Sequence, residues 1–127
     1  MAKGCSMGSL AGAVVLLLED EFLIAIDAER VLEELGAAEV KMTATLEEAE
    51  REAASRDFDL ALLDVNINGQ ISLPLAHRLH DRGVPVVLAT GYDLLAGEIP
   101  PEAACISKPY SKDALGQAIA SVLAGRA

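Results

Sequence analysis

Val14-Val15-Leu16-Leu17-Leu18 runs directly into Glu19-Asp20-Glu21, and that junction decides the fold. Five consecutive apolar residues leave no polar face. A strand of that kind belongs in a sheet covered by helices on both sides. Glu19 and Asp20 stop it. From Glu21 to Leu35 the period changes, with Ile24, Ala28, Val31, Leu32 and Leu35 near helical spacing and Glu29, Arg30, Glu33 and Glu34 outside. Gly36 is a natural C-terminal stop for such a helix.

The same alternation continues along the chain. Val40 to Ala44 reads as a short strand, and Thr45-Leu46-Glu47-Glu48 has the form of a capping box that opens a helix to about Ser55. Asp59 to Asp64 is a third strand, apolar up to its terminal carboxylate. A turn with Gly69 follows, and Ser72 is expected to cap a helix running to about Arg82, with Pro74 tolerated in its first turn. Val84 to Ala89 is a fourth strand, closed by Thr90-Gly91. Tyr92 to Ala96 is expected to form a short helix broken by Gly97 and Pro100-Pro101. Ala103 to Ser107 is a fifth strand, and Ser111 caps a last helix with the stripe Leu115, Ala118, Ile119 and Val122.

Five alternating βα units imply an α/β fold, a flavodoxin-like three-layer sandwich. Its five-stranded parallel sheet is expected in the order 2-1-3-4-5. Residues 1–12, rich in Gly, Ser and Ala, are expected to be a flexible tail or expression remnant, and residues 13–127 the domain.

Composition narrows the function. The chain has 127 residues, enough for one core, and is 52% hydrophobic, which argues against disorder. Its net charge of −10 argues against a nucleic-acid or anionic-membrane surface. No apolar run approaches the roughly 18 residues of a membrane span, and no signal-type apolar segment opens the chain. Cys5 and Cys105 have no metal-binding spacing and read as reduced thiols of a cytoplasmic protein.

In a parallel sheet of this kind the ligand site lies beyond the carboxyl ends of the strands. There the first strand delivers Glu19 and Asp20, the third Asp64, the fourth Thr90 and the fifth Lys108, followed by Pro109. Each alone has an ordinary explanation. An Asp at a strand end serves turns, acidic residues favour helix starts, and a lysine is often solvated. Arrival of all of them at one rim from four strands points to a site. Crowded carboxylates need a cation, and oxygen ligands suit Mg²⁺ or Mn²⁺. Lys108 suits a phosphoryl oxygen or a carboxylate.

Four blocks carry a family resemblance. Leu16-Leu-Leu-Glu-Asp-Glu21, Leu62-Leu-Asp-Val-Asn-Ile67, Leu88-Ala-Thr-Gly-Tyr92 and Ser107-Lys-Pro-Tyr110 resemble the signature blocks of bacterial response-regulator receiver domains, in order and spacing. The resemblance covers about residues 13–124. It implies that Asp64 is the phosphoacceptor, taking a phosphoryl group from the phosphohistidine of a histidine kinase or histidine phosphotransfer protein. It implies that Asp20 and Asp64 hold Mg²⁺ through their carboxylates, Asn66 through its backbone carbonyl, and Glu19 mainly through water. Thr90 would hydrogen-bond the phosphoryl group. Lys108 would pair with it across a cis peptide before Pro109. Pro85 to Tyr92 and Asp64 to Gly69 are also similar to the alphaproteobacterial single-domain regulators named after a Phe-Ala-Thr-Gly-x-Tyr (FATGUY) motif. Here Leu88 replaces the Phe, and Tyr92 follows Gly91 directly.

One departure bears on switching. Most receivers carry a Tyr or Phe three residues before the lysine; this chain has Cys105. Tyr92 is then either a substitute switch residue or a loop anchor, and Tyr110 a packing aromatic. The expected function is a phosphorylation-activated switch that signals by protein contact, as a monomer or weak dimer. Its only catalysis would be self-phosphotransfer and slow loss of its own acyl phosphate. The alternatives are a pseudo-receiver interaction module, or the receiver fragment of a larger regulator or hybrid histidine kinase. An aspartate-based phosphatase would want a carboxylate at position 66, where Asn66 stands, and a flavodoxin-type cofactor protein would want a phosphate loop after the first strand.

Overall fold

The computed structural model describes residues 10–91 and 98–124. The elements are β1 (Val14–Leu18), α1 (Phe22–Glu34), β2 (Glu39–Thr43), α2 (Leu46–Ser55), β3 (Leu60–Asp64), β4 (Asn66–Ile67), β5 (Gln70–Ile71), α3 (Leu73–Asp81), β6 (Val86–Thr90), β7 (Ala104–Ser107) and α4 (Lys112–Ala124). The main sheet runs β2-β1-β3-β6-β7 with every pair parallel. Leaving out the small β4–β5 hairpin, this is the expected order 2-1-3-4-5.

The layers follow from the two-residue period of a strand. Val15 and Leu17 of β1, Leu60 and Leu62 of β3 and Val87 of β6 pack with Ala25, Ala28 and Leu32 of α1 and with Leu115, Ile119 and Val122 of α4. Leu16, Leu18, Ala61, Leu63 and Leu88 face the other way, onto Ala49 and Ala53 of α2 and Leu75, Ala76 and Leu79 of α3. β1 must therefore be apolar at every position. Each fully buried Leu contributes about 1.5–3 kcal/mol of transfer free energy.

Helix ends are chemically specified. After α1, Gly36 takes φ 110°, its N–H donates to the Glu33 carbonyl, and the Ala37 N–H donates to the Leu32 carbonyl. This is a Schellman closure, which needs a left-handed residue. The Thr45 hydroxyl accepts the Glu48 N–H at 3.1 Å, while the Glu48 carboxylate accepts the Ala44 N–H at 2.9 Å. The capping box is present, with its return bond displaced by one residue. Thr45→Ala is expected to lower stability by about 1 kcal/mol. A urea midpoint that falls at unchanged slope checks this; an unmoved midpoint contradicts it. The Ser111 hydroxyl accepts the Ala114 N–H at 3.0 Å and caps α4 as expected.

Two expectations need correction. Leu10 to Gly12 belong to the fold rather than to a tail. Leu10 is 2% exposed within the α1/α4 core, and the Leu10 and Gly12 N–H groups donate to the Leu35 and Gly36 carbonyls. Residues 1–9 lie outside the described residues. Ser72 makes no side-chain cap to α3; its hydroxyl donates instead to the Asp64 carbonyl at 2.7 Å. The short helix expected at Tyr92 to Ala96 also lies outside the described residues. Among the described residues no helix is long and apolar enough to cross a membrane.

Candidate functional site

The carboxyl rim of the sheet gathers the expected residues. Glu19 follows β1 and keeps the facing of Val15 and Leu17; Asp64 ends β3 and keeps that of Leu60 and Leu62. Both point to the α1 side of the sheet. Glu19 is 3% exposed and Asp64 5%. Asp20, in the exposed turn before α1, completes the group, and carboxylate oxygens of Glu19, Asp20 and Asp64 lie within 4.8 Å of one another.

Lys108 closes the site from β7. Its Nζ lies 2.8 Å from Asp64 Oδ2 and 3.2 Å from Glu19 Oε1. Its own N–H donates to the Thr90 carbonyl at 2.8 Å, which ties the end of β7 to the end of β6. The Lys108–Pro109 peptide is cis, as expected. Thr90 is buried at the end of β6.

Backbone donors orient the carboxylates. Glu19 Oε2 accepts the Glu21 N–H at 2.9 Å, and Asp64 Oδ1 accepts the Asn66 N–H at 3.3 Å. Burial holds the Glu19 carboxyl above its usual range, with the Glu21 N–H and Lys108 offsetting part of the effect. Burial pulls the Lys108 ammonium down, but the hydrogen bond to Asp64, with the Asp64 and Glu19 charges, outweighs it and raises the group above the ordinary lysine value. Tyr110 packs against the α1/α4 core, and its hydroxyl is pushed up to about 12, first by burial and then by Glu19.

Three carboxylates against one ammonium leave two negative charges uncompensated among these four side chains. An all-oxygen group with that excess fits a hard divalent cation. The donors present therefore suit Mg²⁺ or Mn²⁺.

The switch candidates divide. Tyr92 lies outside the described residues. Cys105 sits on β7 beside Leu88, largely exposed, with its thiol pushed up by partial burial. Two features were missed in the sequence. One is the β4–β5 hairpin, although Asn68-Gly69 between Ile67 and Ile71 is a hairpin-turn signature. The other is Ser72, whose partner lies eight residues back, beyond the reach of a local reading.

Fold and rim together define a flavodoxin-like α/β domain with an acidic cluster at its strand ends. Residues 15–120 match the response regulator receiver domain, and the chain belongs to that family. It is 33% identical over 114 residues to the phyllosphere-induced regulator PhyR of Methylorubrum extorquens, covering 86% of this chain and 43% of that protein. The solution structure of the PhyR receiver domain from Erythrobacter litoralis has a TM-score of 0.76 at 26% identity, covering 91% of this chain and 93% of that one. A response regulator receiver protein from Sinorhizobium medicae shares the fold, with a TM-score of 0.81 at 23% identity over 94% of this chain and 100% of that one. The chain spans less than half the length of the curated relative it matches. It is a receiver domain of the two-component type, a signalling module.

Proposed function

We propose that the domain accepts a phosphoryl group on Asp64 from a phosphohistidine of a histidine kinase or histidine phosphotransfer protein, and passes the signal to a downstream protein by contact. The observation that carries this reading is the buried Asp64 carboxylate, set among Glu19 and Asp20 with the Lys108 ammonium at 2.8 Å. A carboxylate so placed is a nucleophile with positive charge ready for the oxygens of an incoming phosphoryl group.

An Asp64 oxygen donates its lone pair to phosphorus as the phosphorus–nitrogen bond breaks, and the bonding electrons leave with the imidazole. The product is an acyl phosphate, which water later removes. Mg²⁺ held by Glu19, Asp20, Asp64 and the Asn66 carbonyl would supply charge compensation for the phosphoryl oxygens. Lys108 leaves its pairing with the free carboxylate and pairs with the phosphoryl group. The Thr90 hydroxyl hydrogen-bonds the same group from the end of β6, and Tyr92, two residues on, is the candidate reporter of that bond. Cys105 cannot act as a swinging ring.

Acetyl phosphate offered with Mg²⁺ or with a chelator tests this by intact mass. A phosphoryl gain in the Mg²⁺ arm alone is the expected result. No gain in either arm, or equal gain in both, overturns the reading.

A further inference from the structure

We propose that Ser72 is a positioning residue for the Asp64 phosphoacceptor, acting through the Asp64 peptide and the hairpin that returns to it. The proposal rests on Asp64 being the phosphoacceptor.

Ser72 is fully buried, at 0% exposure. Its hydroxyl donates to the Asp64 carbonyl at 2.7 Å, and its N–H donates to the Val65 carbonyl at 2.9 Å. One residue thus holds both peptide units that follow the Asp64 side chain. The Val65 N–H donates to the Ala89 carbonyl of β6 at 2.9 Å. In a trans peptide the carbonyl points opposite to the N–H, so the Asp64 carbonyl faces the β1 side. Pairing between β1 and β3 ends at Leu18 and Leu63. The Asp64 carbonyl lies beyond that ladder, and the Ser72 hydroxyl supplies its donor.

The hairpin brings Ser72 to this place. Asn66 and Ile67 pair antiparallel with Ile71 and Gln70. The turn between them uses Asn68 at φ 52° and Gly69 at φ 83°, the left-handed pair of a type I′ turn. Ile67 is fully buried and anchors the hairpin in the α2/α3 core, and the Asn66 side-chain oxygen accepts the Gly69 N–H at 2.9 Å. Asn66 lies in the loop of chain that the Ser72–Asp64 bond closes. Its N–H orients Asp64 Oδ1, and its carbonyl is the proposed metal ligand.

Local chemistry frees the hydroxyl for this work. A serine before a helix ordinarily caps the second or third helical N–H. Here the second helical residue is Pro74, which has no N–H, so one of the two cap targets is missing.

The test compares wild type with Ser72→Ala, and with Ser72→Cys, which is somewhat larger but keeps a weak donor. Phosphoryl incorporation from acetyl phosphate is measured per folded molecule across a Mg²⁺ series. Amide exchange at Asn66 and Gly69 is measured in the metal-free protein. We expect Ser72→Ala to incorporate about tenfold more slowly, the kinetic equivalent of one lost hydrogen bond. We also expect a higher Mg²⁺ half-saturation and faster exchange at both amides, with Ser72→Cys between. If Ser72→Ala unfolds, Ser72→Cys carries the comparison. Wild-type rate and Mg²⁺ half-saturation in a folded variant would reduce Ser72 to a structural role and overturn the proposal alone. Wild type that takes up no phosphoryl group would overturn the Asp64 reading, and this proposal with it.

Discussion

Asp64→Asn is expected to abolish phosphoryl incorporation, by at least ~10³-fold, while leaving the fold in place. The amide is nearly isosteric with the carboxylate, so the 5% exposed site refills without a cavity. The backbone bonds from Ser72 and to β6 do not involve the side chain and persist. What is lost is the nucleophile, because an amide oxygen does not form an acyl phosphate by this route. Lys108 keeps Glu19 as its partner, at 3.2 Å from Oε1. The check is intact mass after acetyl phosphate and Mg²⁺, beside a far-ultraviolet spectrum. Incorporation at the wild-type level in a folded variant would move the acceptor elsewhere.

Lys108→Met is expected to destabilise the metal-free protein by about 2–3 kcal/mol, slightly below the usual cost of breaking a buried pair. The Lys108 side chain keeps 21% exposure, which screens part of the interaction, whereas those of Glu19 and Asp64 keep 2% and 6%. Removal of the ammonium leaves two buried carboxylates in each other's field. Added Mg²⁺ should restore part of the loss, because the acidic group then regains a cation. The pH dependence has a definite sign. A raised lysine pKa stabilises fully below the ordinary value of 10.5 and ceases to do so as pH rises through the folded value. Wild type and variant should therefore converge in strong alkali. They should also approach each other in acid, because Glu19, already held above its usual range by burial, takes up a proton and relieves the repulsion. Denaturation midpoints across pH check both limbs. A constant difference would show that the ammonium does not compensate these carboxylates, and no rescue by Mg²⁺ would show that the acidic group does not take up the ion.

Much of this architecture is readable from local chemistry. An unbroken apolar run such as Val14–Leu18 has one stable place, between two helical layers, and the register bears this out on both faces. Strand ends were legible for the same reason, since Glu19 and Asp64 stop apolar runs. Gly36 marked a helix end because its left-handed φ costs a side-chain-bearing residue energy. The expectations that failed depended on contacts distant in sequence. Ser72 read as a helix cap because its competing acceptor, the Asp64 carbonyl, comes within reach only after the hairpin folds back. Leu10 read as tail because Gly, Ser and Ala surround it, yet its burial comes from the end of α1, some 25 residues on, where its N–H meets the Leu35 carbonyl. Lys108 was legible as a rim residue, but its pairing with both Asp64 and Glu19 joins the ends of β7, β3 and β1, which no local pattern encodes.

The most direct test is chemical mapping of the phosphoryl group. The protein is treated with acetyl phosphate and Mg²⁺, reduced with borohydride, and sequenced by mass spectrometry. An aspartyl phosphate is reduced to homoserine, and homoserine is expected at position 64 in the Mg²⁺-treated protein only. Homoserine at another acidic position, or a phosphoryl group retained on His77 or His80 with position 64 intact, would contradict it.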